Sequence, residues 1–369
     1  MKRLLLVVGT RPNYIKVTQF KKVAAQKFSG KFEIKIVHTG QHFDKAMADD
    51  FFRQLDIYPD FALNIPRSTA NKQIGEIMIR LEDVINQFKP HMLLVPGDVN
   101  STLAAAITAN KMNIPLGHLE SGLRSLDRSM PEEINRLLVD EITDHYFVTE
   151  QSGIDNLIKE GKPKEQIHFV GNTMIDTLVA FEADIKAQTV LEDYQLTPKA
   201  FILMTIHRPA TVDHKAGLEQ LLRLLSKLTK DHQMVFPMHP RTLNHIEKFG
   251  LQADFENLKQ LTITGPLDYF SFQNLIHNCK MVLTDSGGIQ EETTFKLKPC
   301  LTLRPNTERP STITEGSNTL LDFDILKIME QVDAIATGNY KKGKIPEYWD
   351  GKATERILEV IEGIQNSNN

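Results

Sequence analysis

The chain has 369 residues, of which 41% are hydrophobic and 24% charged, and its formal net charge is −4. This length exceeds the usual size of one hydrophobic core and predicts two domains. The small negative charge argues against bulk binding to nucleic acid or to an anionic membrane, so we expect neither as a partner. Two cysteines without metal-like spacing argue against a disulfide framework and fit a reducing, cytoplasmic setting.

The first segment, MKRLLLVVG, begins like a signal peptide, with basic residues before an apolar run. The run covers only residues 4–8, which is too short for the apolar region of a signal peptide and for a membrane span. We therefore interpret it as a first buried β-strand.

Short apolar runs then alternate with amphipathic stretches such as residues 69–88. Continuous apolar runs indicate strands covered on both faces, and the alternation with helical patterns is typical of βαβ units. The predicted strands are residues 4–9, 34–40, 92–98, 114–120, 145–150, 167–172, 201–208, 233–239, 261–266, 281–288 and 299–305.

This pattern predicts an α/β fold with two Rossmann-like domains in tandem, each built on a parallel sheet. We place the N-terminal domain at residues 1–172 and the C-terminal domain at 173–352. The charged, weakly periodic segment 181–200 is interpreted as the interdomain connection. Ligands of such sheets bind beyond the carboxyl ends of the strands, so the polar residues that close each apolar run are the candidates for chemistry.

Two cations, Arg11 and Lys16, follow the first strand in GTRPNYIK. Cations at a helix start are typical of an anion site, although a plain turn with solvated cations gives the same pattern. The segment lacks G-x-G-x-x-G, so no standard dinucleotide site is indicated.

Asp98 closes the apolar run of residues 92–98. It could cap the next helix, but the polar residues after it could do so equally well.

Two more acids lie in the polar stretch 118–136: Glu120 follows a strand, and Glu132 opens a helix. Glu132 could instead form a capping box with Ser129 or a surface ion pair with Arg136. Together with the acid that closes the preceding strand, these side chains could converge and shift one another's pKa values, as acid–base catalysis requires.

Histidines mark strand ends in the second half. His207, in IHRPAT, stands where a strand gives way to a loop, and a buried, satisfied histidine would give the same pattern. The segment MHPR, residues 238–241, repeats the pattern one strand later. No zinc signature, P-loop or nucleophile elbow occurs in the sequence, so we predict neither a metal nor a cofactor.

The segment TDSGGIQEE, residues 284–292, combines features that attract and repel phosphate. Its Ser-Gly-Gly turn precedes a helix whose free N–H groups would bind a phosphate. Glu291 and Glu292 follow within about one helical turn, and carboxylates repel phosphate. The residues alone leave open which ligand would need both a cradle of N–H groups and an adjacent acid.

Nine segments between residues 9 and 310 occur in a characteristic order: GTRPNYIK, TGQH, PGDVNST, HLESGLR, PEEINR, GNTMIDT, IHRPAT, DSGGIQEE and RPNTERP. As a set they resemble the non-hydrolysing UDP-N-acetylglucosamine 2-epimerases. The resemblance implies two Rossmann-like domains facing a central cleft, the GT-B architecture, with the C-terminal helix at 353–369 packed back onto the first domain. It also implies a cytoplasmic homodimer whose product serves surface polysaccharide synthesis.

The resemblance further implies reversible conversion of UDP-N-acetylglucosamine to UDP-N-acetylmannosamine by anti elimination of UDP to 2-acetamidoglucal and re-addition. Removal of the C2 proton needs a base, and the leaving UDP needs cations and oriented amides. By motif, Asp98, Glu120 and Glu132 would act at C2, and His207 would stabilise the leaving group. The residues that would bind UDP or the sugar are Arg11, Lys16, Arg136, His239, Phe272, Ser286, Gly287, Gly288 and Glu292.

Some of these implied contacts are specific. Phe272 would meet the uracil, Ser286 and Gly287 would take a phosphate, and Glu292 would bind the ribose. Glu291 has no assigned role and would be a solvated or structural acid.

The chain departs from the family pattern in places. Asn13 replaces an acid, Phe43 and Asp44 replace a polar pair, and Asn71 replaces an arginine. In the family these positions belong to a second, regulatory UDP-N-acetylglucosamine site, so we do not expect activation by substrate.

The stretch between Glu120 and Glu132 is two residues shorter than in the enterobacterial type, as in relatives that act on other UDP-2-acetamido sugars. Such a sugar is therefore a second candidate substrate. The sequence is also compatible with a hydrolysing epimerase that releases N-acetylmannosamine and UDP, with a GT-B glycosyltransferase, and with a non-catalytic UDP-sugar sensor.

Overall fold

The computed structural model describes residues 1–40 and 51–364. The chain forms two compact units, one of Met1–Ala180 with Glu347–Asn369 and one of Phe181–Pro346. The boundary between the two units, after Ala180, therefore lies eight residues beyond the predicted domain boundary at 172. The reason is a helix, Thr173–Ala180, whose Thr177 hydroxyl lies 2.5 Å from the Thr18 hydroxyl of the first unit.

The first unit contains one seven-stranded parallel sheet. Its strands are β1 (Lys2–Val8), β2 (Phe32–His38), β3 (Phe61–Ala62), β4 (Met92–Pro96), β5 (Leu116–Leu119), β6 (His145–Val148) and β7 (Ile167–Phe169). They are ordered β3-β2-β1-β4-β5-β6-β7, and every pairing is parallel. The order reverses between β1 and β4, and such a switch point is where open α/β sheets bind ligands.

Helices cover this sheet. They are α1 (Arg11–Ile15), α2 (Phe20–Lys27), α3 (Ala70–Phe88), α4 (Asn100–Lys111), α5 (Pro131–Glu141), α6 (Gln151–Lys159) and α7 (Thr173–Ala180), with a 3₁₀ turn at Lys164–Gln166 and the C-terminal helix Ala353–Gly363. Helix α3 buries Ile77, Leu81 and Ile85, which are spaced four residues apart on one face, against the core of the sheet. Burial of that stripe positions α3 and leaves the strand ends for polar side chains.

The C-terminal helix belongs to the first unit, and its start is tied down by side chains of that unit. The Asp176 carboxylate accepts hydrogen bonds from the backbone N–H groups of Ala353 (3.0 Å) and Thr354 (2.6 Å). The Lys2 ammonium donates to the carbonyl oxygens of Ile361 and Glu362 at the other end. Both helix ends thus have partners for backbone groups that the helix leaves unsatisfied.

The second unit contains one six-stranded parallel sheet. Its strands are β8 (Phe201–Thr205), β9 (Gln233–Pro237), β10 (Leu261–Thr264), β11 (Met281–Thr284), β12 (Cys300–Leu303) and β13 (Asn318–Leu321). They are ordered β10-β9-β8-β11-β12-β13, again all parallel. The order reverses between β8 and β11.

Ten helices of the second unit complete the described part of the fold. They are α8 (Glu182–Lys186), α9 (Val190–Asp193), α10 (Pro209–Val212), α11 (Lys215–Leu228), α12 (Pro240–Lys248), α13 (Gln252–Glu256), α14 (Tyr269–Asn278), α15 (Gly287–Phe295), α16 (Ser311–Thr314) and α17 (Ile325–Ala336). The prediction of two Rossmann-like domains on parallel sheets is confirmed.

The interpretation of residues 181–200 as a connection is wrong. They form α8 and α9, which belong to the second unit, and they bury Ile185 and Val190. The Asn274 amide of α14 donates to the Ile185 carbonyl oxygen at 2.8 Å, so the segment is packed onto the domain.

The sequence pattern did not predict two of the strands. Strand β3 has only two residues, and β13 is mostly half-buried at the edge of its sheet, so neither presents a continuous apolar run. Among the described residues, we find no helix with the length and apolar character needed to cross a membrane.

Candidate active site

The turn after β1 is joined to the end of β4 by a buried amide. The Asn13 side-chain oxygen accepts hydrogen bonds from the backbone N–H groups of Gly9 (3.3 Å) and Thr10 (3.2 Å). Its amide nitrogen donates to the carbonyl oxygen of Pro96 at 3.2 Å. Asn13 thus fixes the switch point of the first sheet, and this last bond needs a donor, which a carboxylate lacks.

Lys16 and Glu120 form a buried ion pair beside this amide. The Lys16 Nζ lies 2.5 Å from Glu120 Oε2, and the two side chains are only 7% and 1% exposed. Glu120 directly follows β5 and has φ +68°, a left-handed conformation that non-glycine residues rarely adopt. Such strain concentrates at functional sites, where surrounding structure holds it in place.

Gly97, directly after β4, makes room for this pair. A Cβ atom at this position would lie 3.3 Å from Lys16 Nζ and 3.5 Å from Glu120 Oε2. Gly97 also has φ +69°, which glycine adopts at no steric cost. The position therefore favours glycine for its backbone conformation and for its lack of a side chain.

Asp98, the next residue, pairs with Arg136 of α5. Arg136 Nη2 lies 2.6 Å from Asp98 Oδ2, with Arg136 almost fully buried and Asp98 20% exposed. The neighbouring Asn135 amide donates to the Asp98 backbone carbonyl at 2.9 Å. Asp98 therefore does not act as a simple helix cap: α5 holds both its side chain and its backbone.

Glu132 lies in the first turn of α5 and is exposed. A capping box with Ser129 is wrong, because the N-cap of α5 is Met130 and the Ser129 hydroxyl donates to Asp127. Residues four apart share a helix face, so Glu132 lies on the face of α5 that carries Arg136, the partner of Asp98. The first unit thus places the predicted acids Asp98 and Glu132 near one helix face.

Glu133, which sequence reasoning missed, anchors the loop before α5. Its buried carboxylate accepts hydrogen bonds from the Ser125 N–H (2.7 Å), the Ser125 hydroxyl (2.8 Å) and the Leu126 N–H (3.2 Å). Of the two adjacent acids at this helix start, Glu132 is therefore exposed and Glu133 has a structural role.

Arg11 is exposed at the start of α1, with its guanidinium carbon 5.9 Å from the centre of the Phe51 ring. Asn71, one of the departures from the family pattern, is exposed in the first turn of α3. Phe43 and Asp44, and the Gln41–His42 part of TGQH, lie outside the described residues.

In the second unit, His207 is oriented by Asp285 at the end of β11. His207 Nδ1 lies 2.8 Å from Asp285 Oδ1, and the backbone N–H groups of His207 (2.9 Å) and Arg208 (2.8 Å) donate to Asp285 Oδ2. Burial alone would raise the pKa of Asp285, but His207 and the two N–H groups bring it below its usual range. His207 itself is 56% exposed, so the satisfied core histidine is excluded.

The turn that begins α15 follows directly. Ser286 is the N-cap of α15, and its N–H donates to the Thr284 hydroxyl at 3.0 Å. A Cβ atom on Gly287 would lie 2.8 Å from Arg309 Nη1, so only glycine fits without a shift of that arginine. Gly288 is half-buried in the same first turn. This helix start has the free N–H groups expected of an anion site.

Glu291 is a structural acid. Arg309 Nε lies 2.8 Å from Glu291 Oε2, and Arg309 also pairs with Glu308, which lies 3.2 Å from Arg304. All four side chains are buried. Arg304 and Arg309 of RPNTERP therefore neutralise the carboxylates of Glu308 and Glu291. This pairing allows Glu291 to lie close to a helix start that favours phosphate.

Glu292 is also buried, and its carboxylate interacts with Gln273 and Lys296. Burial raises its pKa to about 7; the Gln273 amide and Lys296 oppose the rise, and Glu291 adds to it. Phe272, next to Gln273 on α14, is half-buried against the core of the second sheet. The residues predicted for ribose and uracil thus come from α15 and α14.

His239 is the N-cap of α12, where its Nδ1 accepts a hydrogen bond from the Arg241 N–H at 3.1 Å. It is exposed at the end of β9. Within residues 1–40 and 51–364, no group of three or more His, Cys, Asp or Glu side chains is arranged to hold a metal ion.

Comparison with known proteins agrees with this geometry. Residues 24–362 match the family described as UDP-N-acetylglucosamine 2-epimerase. A UDP-N-acetylglucosamine 2-epimerase of Methanococcus maripaludis is 35% identical over 98% of this chain and 99% of its own. A UDP-2,3-diacetamido-2,3-dideoxy-D-glucuronate 2-epimerase of Pseudomonas aeruginosa is 37% identical over 97% and 99% of the two chains.

The crystal structure of the Methanocaldococcus jannaschii UDP-GlcNAc 2-epimerase in complex with UDP-GlcNAc and UDP superposes with a TM-score of 0.88 at 34% identity, covering 97% of this chain and 99% of that one. The sequence matches and the superposition thus extend over nearly the whole length of both chains. The chain therefore belongs to the UDP-N-acetylglucosamine 2-epimerase family of isomerases.

Proposed function

We propose that the protein is a non-hydrolysing epimerase that interconverts UDP-N-acetylglucosamine and UDP-N-acetylmannosamine. The observation that carries the proposal is a pair of acid–cation contacts at the carboxyl edge of the first sheet, Lys16 with Glu120 and Arg136 with Asp98. An adjacent cation favours the charged form of a carboxylate, and the charged form is the one that removes a proton.

The reaction divides into an elimination and an addition. A carboxylate removes the C2 proton while the C1–O bond breaks and UDP leaves with the bonding electrons, which gives 2-acetamidoglucal. UDP then adds back at C1 as an acid delivers a proton to the other face of C2. Asp98, Glu120 and Glu132 are the proposed proton-transfer groups, and Arg11, Lys16 and Arg136 supply positive charge for the diphosphate or the sugar.

The second unit is proposed to bind UDP. His207, oriented by Asp285, would stabilise the departing diphosphate, because a histidine held at one ring nitrogen can present the other to a ligand. The turn formed by Ser286, Gly287 and Gly288 would take the phosphates, with His239 as a further contact. Phe272 would meet the uracil, and Glu292 the ribose hydroxyls.

Proton NMR of the anomeric signals during incubation with UDP-N-acetylglucosamine tests this proposal. We expect UDP-N-acetylmannosamine to appear and, in deuterated water, deuterium to enter C2. Free N-acetylmannosamine formed at the rate of substrate loss would identify a hydrolysing enzyme instead. Binding of UDP-sugar without turnover would identify a sensor, and consumption only with an added acceptor a glycosyltransferase.

A second candidate substrate is UDP-2,3-diacetamido-2,3-dideoxy-D-glucuronate. The Pseudomonas aeruginosa relative named for that sugar is 37% identical over nearly the whole chain. Assays of both UDP-sugars under matched conditions decide between them: the true substrate has the larger kcat/KM, since discrimination is set by that ratio.

Family membership supports two wider parts of the proposal, that the protein is a cytoplasmic homodimer and that its product is a precursor of surface polysaccharide. Sedimentation equilibrium of the purified chain tests the first, with a monomer as the contrary result. Analysis of surface sugars after gene deletion tests the second.

A further inference from the structure

A buried histidine connects the candidate acids to a second charged cluster. His118 of β5 is fully buried, with Nδ1 2.7 Å from Asp140 Oδ1 and Nε2 2.8 Å from the Gly97 carbonyl oxygen. A backbone carbonyl can only accept a hydrogen bond, so Nε2 must carry a proton. The charge on the ring therefore depends on whether the proton between His118 and Asp140 lies on nitrogen or on oxygen.

The surroundings of Asp140 favour its ionised form. Its Oδ2 accepts the Gly122 N–H at 3.0 Å and lies 2.7 Å from Arg124 Nη1. Burial by itself would raise the pKa of Asp140, but His118, Arg124 and the Gly122 N–H lower it below its usual range. Arg124 is balanced in turn by Glu160 at 2.7 Å. A protonated His118 thus completes a cluster of two cations and two anions, of which Glu160 is exposed and the other three are buried.

His118 and β5 hold Gly97 from both sides. The Gly97 N–H donates to the Leu119 carbonyl oxygen at 3.1 Å, while its own carbonyl accepts from His118. The peptide fixed in this way joins Gly97 to Asp98, and Gly97 also borders the Lys16–Glu120 pair. A rotation of this peptide would therefore displace Asp98 and open space beside Glu120.

We propose that His118 is held as an imidazolium and is a positioning residue for the epimerisation. It fixes the Gly97–Asp98 peptide and thereby the carboxylates of Asp98 and Glu120. The inference rests on the proposed function for those two acids, whereas the charge state of His118 does not.

The charge state is tested by two-bond proton–nitrogen NMR of the full, ¹⁵N-labelled chain at the pH of the activity assay. The His118→Gln variant assigns the signal among the twelve histidines by its disappearance. We expect both ring nitrogens to show the shift of protonated nitrogen. A signal with one unprotonated nitrogen would overturn the imidazolium.

The positioning role is tested with a matched pair of amide variants. In His118→Gln the amide can reach the position of Nε2 and keep the bond to Gly97, whereas in His118→Asn it can reach only the position of Nδ1 and the bond to Asp140. We expect His118→Asn to lower kcat by about tenfold or more with KM nearly unchanged, the scale of one hydrogen bond from a charged donor. His118→Gln should retain kcat within about threefold of the wild type. Equal kcat values for the two variants would overturn the role.

Two measurements keep the test independent of turnover and folding. The backbone amide shifts of Gly97 and Asp98 should change in His118→Asn and stay near wild type in His118→Gln; unchanged shifts in both would contradict positioning. Fluorescence of Trp349, which is buried in the same unit as His118, verifies that this unit is folded in each variant. If the wild type epimerises no UDP-sugar, the proposed function fails, while the two NMR results still decide the state and the effect of His118.

Discussion

The ammonium group of Lys16 and the carboxylate of Glu120 lie 2.5 Å apart with both side chains buried, although 104 residues separate them in the chain. A buried charge that loses its partner is costly, about 3 to 5 kcal/mol. Lys16→Met should therefore lower the free energy of unfolding by about 3 kcal/mol, measured by denaturant titration.

The double variant Lys16→Met/Glu120→Gln supplies the control for this prediction, because it removes both charges and should recover most of the lost stability. Equal loss in the single and double variants would mean that the cost comes from packing of the lysine stem. Lys21→Met, which breaks the exposed pair with Asp60, should change stability by less than about 1 kcal/mol.

The three proposed acids should each be needed for turnover. Asp98→Asn, Glu120→Gln and Glu132→Gln keep the shape of the side chain and remove its charge, so each should lower kcat by about 10²-fold, the usual scale of acid–base assistance. The measurement is the NMR epimerisation assay. Glu141→Gln, on the same helix as Glu132 but exposed and paired with Lys162, is the matched control and should leave kcat unchanged. Retained activity in all three acid variants would refute the assignment.

The sequence was sufficient for most of the two sheets because buried parallel strands are rich in apolar residues, and the predicted segments overlap eleven of the thirteen strands in the described residues. It could not locate β3, whose two residues are too few for a pattern. It also misplaced residues 181–200, because a short amphipathic pair of helices with few buried side chains resembles a linker in composition.

The site was predictable as a set of strand-end residues but not as a set of contacts. Strand ends of a parallel sheet share one edge, so the candidates could be named from chain order. The partners are distant in sequence: Asp285 lies 78 residues from His207, and Asp140 of α5 lies 22 residues from His118. An acid directly after an apolar strand was a usable signal for Asp285, but nothing local pairs it with a histidine.

Removing the orienting group of His207 should impair catalysis without abolishing UDP binding. Asp285→Asn keeps the shape but loses the charge that holds His207, so we expect kcat to fall by about tenfold or more, the scale of one hydrogen bond to a charged group. The check is kcat together with the Kd for UDP from calorimetry. An unchanged kcat would show that His207 does not depend on this contact. Asp231→Asn, at an exposed aspartate of the same unit, should behave as wild type.

Glu292 should make the stability of the free protein depend on pH. Burial raises its pKa from 4.5 to about 7, so its favourable contribution is fully present below pH 4.5 and is lost as the pH rises through 7. Glu292→Gln should therefore be more stable than wild type at pH 8, by up to about 3 kcal/mol, and nearly equal to it at pH 4. Denaturant unfolding at the two pH values measures this. The exposed Glu247→Gln is the control, and a difference that is the same at both pH values would contradict the prediction.

Asp176 should control the attachment of the C-terminal helix within the first unit. Its carboxylate is nine-tenths or more buried and accepts the N–H groups of Ala353 and Thr354, so Asp176→Ala leaves two buried donors without that partner. We expect the free energy of unfolding to fall by about 1 to 2 kcal/mol and hydrogen exchange to become faster across Ala353–Gly363, because a helix start without its cap frays first.

The single tryptophan, Trp349, reports the change: it is buried and donates to the Thr149 carbonyl at 2.9 Å, so its fluorescence should shift to longer wavelength as the segment detaches. Glu355→Gln, at a half-buried position in the same helix start, should leave both exchange and fluorescence unchanged. Fast exchange confined to Glu355→Gln would show that the surface pair with Lys27, and not Asp176, holds the helix.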